Sequence, residues 1–172
     1  MFFKKRKPKL NIDEIAKSLE SNGIAGDIVD AQEGANKLFG IGKISGEQNQ
    51  ELIVFFMYSY TYALRQVFDD SDISHKLLDI FHERVYNAIF KSPYEAMKFE
   101  KLVQKRYAEY YECLRLEGSQ AVSAIGKALS KHFFKEDRDV ADVMKMGIFA
   151  FSNIESRKRI AESVNNNYIL IE

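Results

Sequence analysis

The densest run of large apolar side chains in the chain lies between Leu52 and Phe68. The segment contains neither Gly nor Pro, and its length is ordinary for a helix but long for a strand. On a helical wheel, roughly half of the circumference is continuously apolar, and the other half adds further aromatic residues. Because a helix that is apolar on most sides is buried on most sides, the pattern predicts a central helix enclosed by others.

Apolar residues at helical spacing continue on both sides of this segment. Asn11 and Glu14 predict the capped start of a first helix, which Asn22 and Gly23 end. Residues 27–39 favour a second helix, weakened by Gly34, although the conformation of residues 24–46 stays open. Further helices are predicted over residues 73–90, 93–116, 119–134 and 140–151, with a short basic helix after a capping box at Ser152 to Glu155.

The predicted fold class is therefore all-α: a single-domain bundle of about six to seven helices around the buried aromatic-rich helix, with residues 52–134 as its core. Residues 1–10 are expected to form a basic, disordered tail, and residues 11–164 the helical domain. The C-terminal segment, residues 165–172, is expected to be extended. Its four apolar side chains predict that it docks on the body or on a partner, because exposing them to water is unfavourable.

Two segments resemble ligand loops but lack the spacing that such loops need. The glycine-rich stretch of residues 40–46 has Lys37 where a phosphate loop requires Gly, so a connector is predicted. The acidic turn of residues 69–72 lacks the Gly and Glu of a calcium loop. Helix capping explains its Asp and Ser residues instead.

Charge is balanced overall, with 25 basic and 25 acidic residues, but it is uneven along the chain. Residues 1–9 contain five cations and no acid, so the rest of the chain is acidic. This composition argues against a surface built entirely for nucleic acid. The basic start leaves a weak expectation of binding to an anionic membrane surface or to nucleic acid, through Lys4, Lys5, Arg6, Lys7 and Lys9.

The single cysteine, Cys113, cannot form a disulfide within the chain. Pro8 and the polar residues after it interrupt any secretory signal pattern. Both observations favour a reducing, cytoplasmic location. No histidine lies near Cys113 in sequence to activate it, so nucleophilic catalysis by this thiol is not expected.

Tyr58, Tyr62 and Arg65 lie at positions i, i+4 and i+7 of the central helix and therefore share one face. Buried tyrosine hydroxyls need hydrogen-bond partners. Arg65 could supply them, or its charge could bind a ligand. An anionic, partly apolar small molecule would suit this face. The alternative is that both tyrosines are ordinary core residues.

His75, Asp79 and His82 follow one another at one-turn spacing in the next helix. Residues at such spacing can meet at a metal ion. A complete site would need donors from another helix, and Glu109 and Glu112 are candidates. The alternative is a stripe at the edge of the core in which Asp79 pairs with a histidine.

Three function classes follow from these patterns. The first is a non-enzymatic helical protein that acts by protein–protein interaction and self-associates as a homo-oligomer, through the small residues of 119–134 and the C-terminal segment. The second is a small-molecule-binding bundle using Tyr58, Tyr62 and Arg65. The third is a metal-dependent enzyme using His75, Asp79 and His82. The first is favoured because the sequence shows no nucleophile paired with a base, and it predicts no organic cofactor.

Overall fold

The protein is described by a computed structural model that covers residues 7–69 and 71–172. Seven α-helices occupy these residues, and two three-residue strands join the ends of the chain. The prediction of an all-α bundle is confirmed. The helices are α1 (Ile12–Ser18), α2 (Ala25–Phe39), α3 (Gly46–Phe68), α4 (Asp72–Ile89), α5 (Pro93–Leu114), α6 (Gly118–Phe134) and α7 (Val140–Asn167), and the strands are β1 (Lys9–Asn11) and β2 (Ile169–Ile171).

Helix α3 is the buried centre of the bundle, as its apolar pattern predicts. Every residue from Leu52 to Tyr58 is at most 5% exposed. The helix begins earlier than expected because Ser45 and Gln48 form a capping box, in which each side chain accepts a hydrogen bond from the other residue's backbone N–H. The glycine-rich residues before it connect α2 to α3.

The first two helices are joined without a break, so the predicted helix end at Gly23 is wrong. A π-helical turn, Leu19–Ile24, links α1 directly to α2. A Cβ atom on Gly23 would lie 2.6 Å from the hydroxyl of Tyr60. Glycine is therefore needed there for close packing against α3. The predicted second helix is confirmed and ends at Gly40, whose φ of 67° is left-handed.

The two ends of the chain pair as a parallel two-stranded sheet, in which Leu10 is opposite Leu170. The prediction assigned Lys9 and Leu10 to a disordered tail, whereas the structure places both in β1. Lys7 Nζ donates to the backbone oxygen of Asn165 at 2.8 Å. Leu170 packs against the core. Lys4, Lys5 and Arg6 lie outside the described residues.

Helix α7 is one continuous helix, so the predicted division at Ser152 is wrong. Ala150 is fully buried and Ile154 is 2% exposed. Because both flanks of the supposed break are packed in the core, the helix passes through residues that would suit an N-terminus. Ser92 immediately precedes α5, and its side chain makes no capping hydrogen bond.

Candidate functional site

The three residues predicted to bind an anionic ligand have three different environments. Tyr58 is fully buried, Tyr62 is half-buried and Arg65 is exposed. Tyrosine rings from α3 and α5 surround Tyr58, with centroids 5.1–5.9 Å away: Tyr62, Tyr107, Tyr110 and Tyr111. These rings occupy the space around Tyr58. Burial raises the pKa of its hydroxyl well above the ordinary value.

The three residues predicted to bind a metal ion are also separated by their environments. His75 and Asp79 are exposed, whereas His82 is partly buried against α5. Both ring nitrogens of His82 have partners: Nδ1 lies 2.7 Å from the Leu78 carbonyl oxygen and Nε2 lies 2.9 Å from the Tyr107 hydroxyl. Within residues 7–69 and 71–172, no three His, Cys, Asp or Glu side chains are arranged to hold a metal ion.

The hydrogen bonds of His82 fit a neutral imidazole. Nδ1–H donates to the carbonyl, which leaves Nε2 to accept from the Tyr107 hydroxyl. Thr61 Oγ1 lies 3.2 Å from the same hydroxyl. Burial lowers the pKa of His82 from its ordinary 6.5, and the Leu78 carbonyl and the Asp79 carboxylate offset the shift only in part.

This arrangement predicts a loss of stability on mild acidification. Because the pKa of His82 is lower in the folded chain, the unfolded chain takes up the proton first as the pH falls. The contribution of neutral His82 is complete above about pH 6.5 and is lost as the pH falls through the folded value. Urea unfolding between about pH 7.5 and pH 5.5 should therefore show a smaller pH dependence for His82→Gln than for the wild type.

Equal pH dependences in the wild type and His82→Gln would show that His82 does not contribute.

Glu109, considered above as a metal donor, has a different partner. Its Oε2 lies 2.6 Å from Nε2 of His132 in α6. Arg106, one turn away in α5, forms two hydrogen bonds of 2.7 and 2.8 Å with Glu51. Both members of this second pair are buried. The sequence analysis missed both pairs, although Arg106 has the spacing of the inner face of α5, with Phe99, Val103 and Tyr110.

A groove between α4 and α5 is lined by ionisable side chains, which include Asp79 and His82 of the predicted metal site. We name it the α4–α5 groove, and its volume is about 630 Å³. His82 lies in its wall with carboxylates from both helices. The residues used below are Asp79, His82, Glu83, Tyr86, Phe90, Met97 and Glu100.

The outer side of α7 carries a line of exposed residues spaced four apart, which we name the α7 ridge. Four of its six members are large and apolar, with exposures of 80%, 37%, 58% and 46% along the helix. The two central members are exposed serines. The ridge consists of Val140, Met144, Ile148, Ser152, Ser156 and Ile160.

The inner side of α7 is in close contact with α6. A Cβ atom on Gly126 would lie 2.3 Å from the Val143 carbonyl oxygen, and one on Gly147 would lie 2.3 Å from that of Val122. The small residues of α6, on which the prediction of self-association rested, therefore contact α7 of the same chain.

None of the comparisons with family models, curated proteins and solved structures finds a match for this chain. Across the described ranges, no helix has the length and apolar character needed to cross a membrane.

Proposed function

We propose that this protein is a non-enzymatic helical interaction protein that self-associates through the α7 ridge. A line of exposed residues along α7, of which four are large and apolar, is the observation that carries the proposal. Single exposed apolar residues are common on monomers, whereas contiguous apolar patches are typical of interaction sites. A cytoplasmic location is part of the proposal.

The proposal differs from the sequence-based one in the surface that it uses. The small residues of α6 pack on α7, and β2 pairs with β1. Both segments predicted for self-association therefore have partners within the chain. Among the described residues, the α7 ridge stays exposed over about 30 Å, the length of twenty helical residues.

The order of residues along the ridge is suited to a second copy of the same helix. Residues four apart form the ridges by which helices most often pack, at a crossing angle of about −50°. In a two-fold pairing centred at the level of residue 154, Ile148 lies opposite Ile160 of the second copy. Ser152 then lies opposite Ser156 of the second copy, and these small side chains allow the helices to approach.

Ile148→Glu should weaken the dimer by about 100-fold or more. The substitution occurs twice across a two-fold interface, and each buried isoleucine contributes about 1.5–3 kcal/mol. Ile160→Glu should have a similar effect, because the two positions oppose each other. Sedimentation equilibrium over a range of concentrations measures the dissociation constants.

Val29→Glu is the matched control, since Val29 is 63% exposed and belongs to α2, not to the α7 ridge. Its dissociation constant should match the wild type. A wild-type protein that stays monomeric at every concentration would contradict the proposal. An equal loss of association in Val29→Glu would place the interface elsewhere.

The orientation of the two helices can be tested separately by cross-linking in a Cys113→Ser background. An equal mixture of Ser152→Cys and Ser156→Cys should cross-link with a short bifunctional maleimide more efficiently than either variant alone. A parallel pairing would favour the unmixed variants instead and would contradict this arrangement, in which the two helices run in opposite directions.

A further inference from the structure

The α4–α5 groove has carboxylates on both of its walls. Asp79 and Glu83 lie one turn apart on α4, and Glu100 lies opposite on α5. In the part of the chain that the structure describes, no Lys or Arg side chain forms an ion pair with these three carboxylates. Lys91 at one end is a cation that also lines the groove. The groove is therefore net negative and open to solvent.

Two of the carboxylates, one from each wall, line the groove together with His82. Burial has the largest effect on the pKa of His82 and lowers it; Asp79 and Glu100 raise it, and the cation Arg65 lowers it further. His82 does not neutralise them at neutral pH, because burial lowers its pKa from the ordinary 6.5. The fold thus concentrates negative charge beside a neutral side chain.

Apolar and aromatic side chains form another part of the groove, which Asn87 and Ser92 also line. Tyr86 and Phe90 come from the end of α4, and Met97 comes from α5 with 44% of its surface exposed. Burial, together with the nearby Glu100 carboxylate, raises the pKa of Tyr86 to about 12. A cation bound at Glu100 would consequently also lie near the Tyr86 ring, where aromatic faces attract positive charge.

We propose that the α4–α5 groove binds a linear alkyl polyamine. Its ammonium groups pair with Asp79, Glu83 and Glu100, and its methylene segments lie against Tyr86, Phe90 and Met97. A bare metal ion does not suit the groove, because the carboxylates are spread along it. Among the described residues, no three His, Cys, Asp or Glu side chains are arranged to hold a metal ion. The volume of about 630 Å³ lies within the usual range for small-molecule sites.

Titration with spermidine, followed by backbone amide chemical shifts and calorimetry, tests the proposal. Shift changes should concentrate in residues 79–100. Glu100→Gln should weaken spermidine binding by about 10-fold or more, because a hydrogen bond to a charged group is lost. Glu83→Gln removes an exposed carboxylate from the other wall and should also weaken spermidine binding. Met97→Ala should weaken binding less, since it removes only apolar contact.

Two controls separate a specific site from a general attraction between charges. Glu162→Gln removes an exposed carboxylate on α7 and should leave spermidine binding unchanged. Magnesium chloride at matched ionic strength should neither reproduce the shifts nor displace spermidine at comparable concentration. Equal binding by the wild type and Glu100→Gln would overturn the proposal, and so would identical shifts with magnesium.

Discussion

Glu51→Gln is expected to lower the free energy of unfolding by about 3–5 kcal/mol, the cost of leaving one buried charge of an ion pair without its partner. Glu51 and Arg106 are 7% and 8% exposed, and both carboxylate oxygens accept hydrogen bonds from the guanidinium. Glutamine keeps the shape of glutamate but removes its charge. Arg106 would then be buried without compensation, since hydrogen bonding to Glu51 is the main cause that raises its pKa.

Urea unfolding of Glu51→Gln, Arg106→Met and the double variant Glu51→Met/Arg106→Met tests this expectation. The double variant should lose less stability than Glu51→Gln, because it removes both charges and fills the space with apolar atoms. Its smaller loss would show that the cost comes from the unpaired charge and not from lost packing.

The pair of Asp13 and Arg84 provides a control on the surface. Their oxygen and nitrogen atoms are 2.9 Å apart, but the Asp13 side chain is 59% exposed. Exposed ion pairs contribute about 0–1 kcal/mol, so Asp13→Asn should have a small effect. If Glu51→Gln costs no more than Asp13→Asn, the buried pair does not have the predicted importance.

Gly126→Ala is expected to destabilise the protein by about 3 kcal/mol or more, at or above the upper end of the usual cost of overpacking. The new methyl group would lie 2.3 Å from the Val143 carbonyl oxygen and 2.7 Å from the Gly147 backbone nitrogen. Backbone atoms cannot move aside as a flexible side chain can. The contact is relieved only if α6 and α7 separate, which opens the core between them.

Gly34→Ala is the matched control, and it should change stability in the opposite direction. Gly34 lies within α2, and a Cβ atom there would meet nothing within 4 Å. Alanine should stabilise the helix by about 0.5–1 kcal/mol. Thermal unfolding should show a fall of about 6–12 °C for Gly126→Ala and a small rise for Gly34→Ala. Two changes of the same sign would contradict the close packing of α6 on α7.

The sequence predicted the helices more successfully than the places where they end. The first helix illustrates the difference: Gly23 has the residue type of a helix end, yet its lack of a Cβ atom serves the contact with Tyr60. Ser152 similarly begins a capping box in sequence but lies inside α7. A residue suited to a cap does not end a helix whose flanks are both buried.

The predicted sites depended on residues that share a helix face, and this is only half of the geometry that a site needs. Asp79 and His82 do line a groove, but its remaining groups, including Glu100, come from α5. The partner of His82 is Tyr107, which is 25 residues away in the sequence. Spacing within one helix could not indicate which side chains of a second helix would lie opposite.

The sequence by itself determined that the protein is an all-α bundle around α3, because helical periodicity and aromatic density are local properties of the chain. The tertiary structure alone decided that Glu51 and Arg106 are buried together, that Gly126 and Gly147 bring α6 and α7 into contact, and that β1 pairs with β2. Each of these depends on atoms far apart in sequence, whose approach is set by the packing of whole helices.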